Sequence, residues 1–440
     1  MNDTVPKKAF ALAETHGTPL FCYSATRLAD ATRAFRVFTD GLPLPTETYY
    51  SYKTNYLPRL CEDLASMGIG AEVTSLHEWR LARSLHQPSS ILVNGIGKAA
   101  GLLRAALDGE PPRLINIETD SEIDILCTRP PAAPPVRVGL RIRVPGLTGE
   151  TGADPTEGWQ RGETKFGWSS TGEAILAAAK RLAASDNVIL EALHLHLGGQ
   201  LVAATTFERA LAGVCALLDR LAALDISVTS LDLGGGLASG WVEKRRKGPL
   251  LQLAQTLGVL MQPAVQKAPD LAGITAVVTD YAARLRMRGV EQLLFEPGRY
   301  LAEPALSAVA SVVAVRHDDD RNTAVLDIGT NALHCWRGDE TRPVHIGRVP
   351  IQAELTYELV GPLCHRSDTF GRVTVPGPLT PGTLIGLDAV GAYSLGDWIA
   401  NAWDRPGVFH LEEAMPLWHP QAPAEIFQAP MDPVAPQRIL

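Results

Sequence analysis

The chain has 440 residues, and its 40 Lys and Arg against 48 Asp and Glu give a formal charge of −8. Hydrophobic residues make up 46% and charged residues 20%, which is enough apolar surface for a large core and excludes a wholly disordered chain. The acidic balance disfavours nucleic acid or an anionic membrane as the main partner.

The beginning of the sequence and its cysteines indicate a cellular compartment. The first residues, MNDTVPKKAFALAETHG, lack the apolar stretch of a secretory signal, and no apolar run is long enough to span a membrane. The six cysteines are scattered without a CxxC pair, so we predict no metal site. We expect a protein of the reducing cytoplasm.

From about residue 19 to residue 310, short apolar runs alternate with amphipathic helical stretches such as ATRLADATRAFRVF and TFERALAGVCALLDRLAAL. Alternating strands and helices predict a parallel sheet, and eight units in this length favour a TIM-type (β/α)8 barrel over residues 20–305. The predicted strands are Pro19–Tyr23, Thr48–Tyr52, Ile91–Val93, Leu114–Ile117, Val136–Ile142, Leu190–Leu197, Val228–Leu233 and Gln292–Phe295.

The pattern changes after about residue 305 to short β-rich segments separated by Gly and Pro, such as TAVLDIG and TLIGLDAVGAY. This pattern predicts a C-terminal antiparallel β-barrel or sandwich over residues 306–415, so the fold class is α/β plus all-β. Whether residues 1–19 join this domain is left open. Residues 416–440 are a proline-rich tail, and residues 146–164 are predicted to be a polar loop that could cover the site.

Barrel enzymes carry their chemistry at the C-terminal ends of the strands. Lys53 closes the run TYYSYK, where desolvation would free its amine for Schiff-base chemistry, although a lysine there can simply reach water. His194 and His196 share one face of the run LEALHLHL, and two core histidines would be the simple interpretation.

Three further segments have both a structural and a chemical explanation. The glycines at 234–236 end a strand and could wrap a phosphate or form an ordinary turn. Glu296 and Arg299 in EPGR could face one ligand or form a surface ion pair. Cys364 could be a small buried hydrophobe, and Tyr393 could belong to the core or bind an anion. Taken together, these groups are what pyridoxal 5′-phosphate requires.

The ordered motifs resemble those of the barrel-type (fold type III) PLP-dependent decarboxylases of ornithine, lysine, arginine and diaminopimelate, most closely the diaminopimelate decarboxylase branch. The motifs span residues 17–405 and include HGTPLFCYS, YSYKTN, GAEVTSLHEW, KFG, HLHLGGQ, LDLGGGL, EPGR, LDIGTN, GPLCHRSD and GAYS. The resemblance implies that Lys53 holds PLP as a Schiff base, that His196 stacks on the pyridine ring, and that Glu296 pairs with the ring nitrogen.

The resemblance also implies how the rest of the site is built. The residues that would hold the phosphate are Gly234, Gly235, Gly236, Gly298, Arg299 and Tyr393. Cys364 would come from the partner subunit of a homodimer and protonate the carbon that CO2 leaves. The small-molecule partner would be an amino acid.

Three departures from the family's pattern bear on the substrate. His196-Leu-Gly-Gly199 lacks a serine that the family uses for the phosphate. His365 stands where the family has an acid facing a distal ammonium, and an imidazole suits a carboxylate or amide better. An RPALY-like segment is replaced by Ala332–Gly338, in which His334 and Arg337 are the candidate substrate contacts.

These departures lead us to predict decarboxylation of an amino acid with an acidic or acylated far end, such as a citryl–diaminopropionate conjugate of siderophore assembly. The alternative is a meso-diaminopimelate decarboxylase of lysine biosynthesis. A PLP-dependent racemase on the same barrel is disfavoured by Glu296, because an anion at the ring nitrogen favours decarboxylation. A PLP-binding carrier is disfavoured by the complete β domain.

Overall fold

The computed structural model describes residues 4–98, 101–147, 165–240, 243–244, 265–266, 268–318, 321–336, 340–401 and 403–420. The chain divides into two compact units. The unit that we call the barrel unit comprises Arg27–Val242 and Val265–Pro304. The second, the β unit, comprises Met1–Thr26, Glu243–Ala264 and Ala305–Leu440.

Eight parallel strands of the barrel unit pair in chain order, and the last pairs with the first through Leu293 and Thr46. The closed sheet confirms the predicted (β/α)8 barrel. Its strands are Thr46–Ser51, Gly70–Val73, Ile91–Val93, Leu114–Ile117, Val136–Arg143, Val188–Leu195, Ser230–Asp232 and Gln292–Phe295. The short strand Trp168–Ser169 pairs beside Val136–Arg143, and Val265–Gln266 is a further short strand.

The helices that alternate with these strands bury one apolar face each. Ala204–Ala222, for example, buries Phe207, Leu211, Val214 and Leu218, whose spacing of three and four residues places them on one side. The helices are Ala25–Asp40, Pro58–Ser66, Leu76–Leu85, Leu102–Leu107, Asp120–Cys127, Ala174–Ala183, Ala204–Ala222, Leu271–Arg286 and Arg299–Ala302. Single 3₁₀ turns occur at Tyr52–Thr54, Pro88–Ser90 and Glu303–Ala305.

One predicted barrel strand was wrong. Leu20–Tyr23 pairs with Leu306–His317 and Gly407–His410 in the β unit, and the strand Gly70–Val73 takes its place in the barrel. The count of eight was right only because these two errors cancel. A continuous apolar run such as LFCY indicates a buried strand but not the sheet that it joins. The strand Gly70–Val73 was not predicted because Gly70 and Glu72 interrupt its apolar pattern.

The β unit is a mixed sheet rather than a purely antiparallel one. Most of its pairings are antiparallel, but Leu20–Tyr23 runs parallel to Gly407–His410, and Asn322–Leu326 runs parallel to Leu355–Val360. Its other strands are Leu306–His317, Val344–Ile346, Thr369–Val375, Leu384–Leu387 and Met415–Trp418, with the short pair Glu243–Lys244 and Glu340–Thr341.

Residues before the first strand form the helix Thr4–His16, whose Ala9, Leu12 and Ala13 pack in one cluster with Val309 and Phe409. The strand Met415–Trp418 extends into the predicted tail, which was expected to begin at residue 416, and residues 421–440 lie outside the described residues. So does the predicted loop 146–164 from residue 148 onward. No helix in the described ranges is long and apolar enough to cross a membrane.

Candidate active site

Lys53 lies at the C-terminal end of the first barrel strand, in the turn Tyr52–Thr54. Its Nζ is 2.9 Å from Oε2 of Glu72, which ends up beside it because Ser51 and Glu72 are in register on neighbouring strands. Ser51 Oγ donates a hydrogen bond to the same oxygen. The Lys53 side chain is 39% exposed and that of Glu72 is fully buried, so the amine is held at the barrel mouth and remains accessible.

Below the mouth, five polar side chains from five strands meet inside the barrel. All five are buried: Asn94, Asn116, His194, Asp232 and Glu296. Asn94 Nδ2 donates to Glu296 Oε1 at 2.6 Å, and Asn116 Nδ2 donates to Asn94 Oδ1 at 2.8 Å. Asn116 Nδ2 also donates to Asp232 Oδ2 at 3.0 Å, and His194 Nε2 is 3.7 Å from Glu296 Oε2. We call this set the buried polar layer.

The two carboxyl groups of the buried polar layer differ in charge. Burial and the negative charge of Glu296 raise the pKa of Asp232 well above its ordinary value. Burial alone would also raise the pKa of Glu296, but the neighbouring His194 and Lys53 outweigh it and lower that pKa. At neutral pH, Glu296 is therefore an anion inside the barrel.

His196 directly follows the strand Val188–Leu195, and its side chain is partly exposed at the C-terminal end of the barrel, whereas His194 is buried. The pKa of the His196 imidazole is lowered, first by the protein that surrounds it and then by the positive charges of Lys53 and Arg141. The ring is therefore neutral at pH 7. A neutral imidazole at this position can lie against an aromatic ligand without adding charge.

The three glycines of the turn at 234–236 are required by close backbone contacts. A Cβ on Gly236 would lie 1.7 Å from the carbonyl oxygen of Gly198, and one on Gly235 would lie 2.2 Å from that of Glu296. Gly234 and Gly236 also have φ of +65° and +89°. The turn is thus a cradle without side chains, beside His196.

Arg299 begins the helix Arg299–Ala302 and pairs with Glu303 Oε1 at 2.5 Å, so its partner is not Glu296. Glu303 is fully buried, and its other oxygen accepts a hydrogen bond from Ser239. A Cβ on Gly298 would lie 2.1 Å from Thr54 Oγ1, which explains the glycine of EPGR.

The remaining predicted site residues belong to the β unit. Cys364 is exposed, so the simple interpretation of a buried thiol was wrong. His365 is exposed and lies beside Ser367, and Tyr393 is half-buried with φ +59°. His334 is exposed, with Nδ1 3.6 Å from Asp397 Oδ2. Arg337 lies outside the described residues.

Several residues at the barrel mouth were missed from the sequence. They are Glu72, Asn94, Asn116, Arg141 and, as a site residue, Asp232. Each lies within or directly after a barrel strand, near its C-terminal end, so a polar residue closing an apolar run was the available signal. Arg141 Nη1 donates to Glu118 Oε1 at 2.8 Å, and its guanidinium lies 4.4 Å from the centre of the Phe166 ring.

Residues 28–303 match the family model described as "Pyridoxal-dependent decarboxylase, pyridoxal binding domain". The match covers more than half of the chain, and the chain therefore belongs to this family. The predicted family resemblance and the predicted cofactor are confirmed, and the protein is a PLP-dependent amino-acid decarboxylase.

Individual relatives carry a narrower name. The chain is 28% identical over 395 residues to the diaminopimelate decarboxylase of Pseudomonas aeruginosa, covering 87% of this chain and 84% of the relative. It is 28% identical over 397 residues to that of Vibrio cholerae, again covering 87% and 84%.

Solved structures show the same fold at lower identity. Helicobacter pylori diaminopimelate decarboxylase, complexed with L-lysine, has a TM-score of 0.75 at 20% identity and covers 95% of this chain and 98% of its own. Vibrio vulnificus lysine/ornithine decarboxylase, complexed with putrescine, has a TM-score of 0.72 at 18% identity and covers 94% and 99%.

The barrel mouth fits PLP in three respects. The accessible amine of Lys53 can form the covalent link that this cofactor makes with a lysine. The glycine turn presents backbone without side chains, and the N–H groups of Gly235 and Gly236 can bind a phosphate, while that of Gly234 donates to Asp232. The buried anion Glu296 suits the ring nitrogen, which must be protonated for the cofactor to accept electrons.

Proposed function

We propose that this enzyme removes an α-carboxylate from meso-diaminopimelate. The observation that carries the proposal is similarity over nearly the whole length of both chains to enzymes named diaminopimelate decarboxylase. The same similarity supports this substrate, first weighed as the alternative, over the siderophore-type conjugate. The conjugate remains as a second candidate because His365, in the β unit, favours a substrate whose far end is acidic.

In this proposal the barrel mouth binds and orients the reacting groups. Lys53 would hold the cofactor through its side-chain amine. His196 would cover one face of the ring and exclude water from it. Glu296 would keep a proton on the ring nitrogen. Bound PLP supplies an electron sink for the electron pair left when CO2 departs.

The phosphate group would be held by the turn Gly234–Gly236 together with Gly298, Arg299 and Tyr393. The position of this side-chain-free turn, directly after the C-terminal end of the strand Ser230–Asp232, supports this assignment in the barrel unit. Because backbone N–H groups can bind an anion unaided, they can compensate for the serine that Gly199 replaces. Glu303 fixes the guanidinium of Arg299 through its buried carboxylate.

Cys364 is proposed to reach the site from the partner subunit of a homodimer and to deliver a proton to the α-carbon. Its exposure on the β unit supports this role, because a buried thiol could not act across an interface. Cys364→Ala should lower kcat by about 10²-fold or more, the usual contribution of a placed acid, with little change in cofactor affinity. Cys127→Ala, at another exposed cysteine, is the control, and an unchanged kcat in Cys364→Ala would exclude the role.

His365 is the feature that favours an acidic far end. The backbone N–H of Ser367 points at His365 Nδ1 at 3.4 Å, and Ser367 Oγ is 2.8 Å from the same nitrogen. An N–H group can only donate, so this contact favours Nδ1 as the acceptor and leaves Nε2 as the donor of the ring. A donor at this place suits a carboxylate, either that of diaminopimelate or that of an acidic conjugate. His334 and Arg337 are the other proposed substrate contacts.

The test is CO2 release by the PLP-loaded enzyme on meso-diaminopimelate, L-ornithine, L-lysine and a citryl–diaminopropionate conjugate. We expect turnover of diaminopimelate and little of ornithine or lysine. Turnover of the conjugate alone would replace the first candidate by the second. His365→Glu should raise KM for the preferred acidic substrate and lower it for L-lysine, whereas the control His317→Glu, at another exposed histidine of the β unit, should change neither.

A further inference from the structure

Two buried carboxyl groups face each other beneath the mouth of the barrel. Asp232 ends its strand in register with Leu294, two residues before Glu296, so both side chains point to the same side of neighbouring strands. One oxygen of each, with a nitrogen of His194, lies within a group of atoms no more than 4.8 Å apart. Two ionised carboxylates this close in a buried place would repel each other, so we expect one proton between them.

The surroundings decide which carboxyl carries that proton. Asp232 meets neutral donors: the backbone N–H of Gly234 at 2.9 Å from Oδ1 and the amide of Asn116 at 3.0 Å from Oδ2. Glu296 meets an amide as well, but it also faces the imidazole of His194 and the positive charge of Lys53. The positive charge of Lys53 and the neighbouring imidazole favour the charged form of Glu296, so a proton shared by the pair lies on Asp232.

The buried polar layer also leaves these groups little freedom to turn. Asn116 Nδ2 bridges Asp232 Oδ2 and Asn94 Oδ1, and Asn94 in turn donates to Glu296. Gly139 makes room for this chain, because a Cβ there would lie 2.1 Å from Asn116 Oδ1. Asn94 therefore orients Glu296 directly, and Asn116 links Asn94 to Asp232.

We infer that Asp232 is a positioning residue whose protonated carboxyl donates a hydrogen bond to Glu296 and holds it as an oriented anion toward the pyridine nitrogen. This inference rests on the role given to Glu296 under the proposed function. A second negative charge beside Glu296 is the competing arrangement. The two arrangements differ in one respect. Asparagine is neutral and can donate to Glu296 as a protonated Asp232 would, although it gives up one of the two hydrogen bonds that Asp232 accepts, whereas it cannot replace an ionised Asp232.

The experiment is nitrogen-15 NMR of ring-labelled PLP bound to the enzyme, because the ring-nitrogen shift reports its protonation. The wild type should show a protonated ring, and Asp232→Asn should retain that shift. Asp232→Ala should move the shift toward that of a neutral pyridine and lower kcat roughly tenfold with little change in KM, the size of one hydrogen bond to a charged group. Glu191→Gln, at a buried carboxylate at the opposite end of the barrel, is the matched control.

Failure of this inference can be told from failure of the Glu296 assignment. Glu296→Gln should give a neutral ring, and an unchanged shift would overturn the assignment and this inference together. Suppose that Glu296→Gln moves the ring-nitrogen shift, and that Asp232→Asn moves it as far as Asp232→Ala does. Asp232 would then act as an anion, so the inference would be wrong while the assignment of Glu296 stands. Should Asp232→Ala not fold, the comparison of Asp232→Asn with the wild type still decides between a neutral and an ionised Asp232.

Discussion

The two ends of the barrel both contain buried carboxyl groups, but they neutralise them differently. At the N-terminal end, which we call the floor, Arg113 donates to Glu47 at 3.0 Å, to Glu191 at 2.6 Å and to Gln292 at 3.2 Å. Arg137 donates to the second oxygen of Glu191 at 2.5 Å. At the mouth, the carboxyls of Glu72, Asp232 and Glu296 meet amides, an imidazole and the amine of Lys53 instead of guanidinium groups.

The difference shows in the atoms that remain without a hydrogen bond. Among the described residues, buried side-chain atoms without a partner include Glu72 Oε1, Asn116 Oδ1 and both ring nitrogens of His194, all at or below the mouth. The floor carboxylates Glu47 and Glu191 are well paired by comparison. The floor is thus built for stability, whereas the mouth keeps polar groups available for a ligand at a cost in stability.

The largest effect should follow from removing the amine at the mouth. Lys53→Ala should lower kcat by about 10³-fold or more and abolish the trapping of PLP by borohydride, because the variant lacks the amine that we propose to form the covalent link. Lys53→Arg keeps the charge beside Glu72 but cannot form that link, so it should lose trapping as well. The two variants therefore separate the covalent role of the lysine from its charge.

The control for this experiment is Lys180→Ala, at an exposed lysine on the helix Ala174–Ala183. It should retain both activity and trapping. Borohydride trapping that persists in Lys53→Ala would assign the covalent link to another lysine. Lys53 would then contribute only its positive charge to the mouth.

The mouth could be predicted from the sequence far better than the floor. Lys53, His196 and Glu296 each close an apolar run, and the chemistry of strand ends makes such residues candidates from their position in the sequence alone. Arg113 and Glu191 carry no such signal, because a charge at the beginning or in the middle of a strand pattern looks like a solvent-facing residue. Only closure of the barrel brings them together.

The barrel unit was likewise easier to predict from the sequence than the β unit. Alternation of strands and helices predicted the barrel, because the order along the chain is also the order around the sheet. In the β unit, Leu20 pairs with both Val309 and Gly407, which are nearly three hundred residues or more away in the sequence. Local periodicity contains no information on such distant pairings. It could therefore predict neither the mixed sheet of the β unit nor that Leu20–Tyr23 belongs to that sheet.

A smaller effect should follow from a change at the floor. Glu191→Gln should lower the free energy of unfolding by about 1–3 kcal/mol, because it weakens the bonds to Arg113 and Arg137 and leaves the largely buried Arg113 poorly paired. Activity should be unchanged, since the floor does not touch the site. Glu62→Gln, at an exposed glutamate, should change the stability by less than about 0.5 kcal/mol.

The pKa of Glu191 predicts how this difference in stability changes with pH. Burial alone would raise the pKa of Glu191, but hydrogen bonds from Arg113 and Arg137 outweigh it and lower that pKa. A carboxyl whose pKa is lower in the folded state stabilises the protein above its ordinary pKa, and this contribution is lost as the pH falls through the lowered value. Urea unfolding at stepwise lower pH should therefore show the wild type losing its advantage over Glu191→Gln in acid. A variant that instead loses activity while its stability stays unchanged would break the division between a structural floor and a functional mouth.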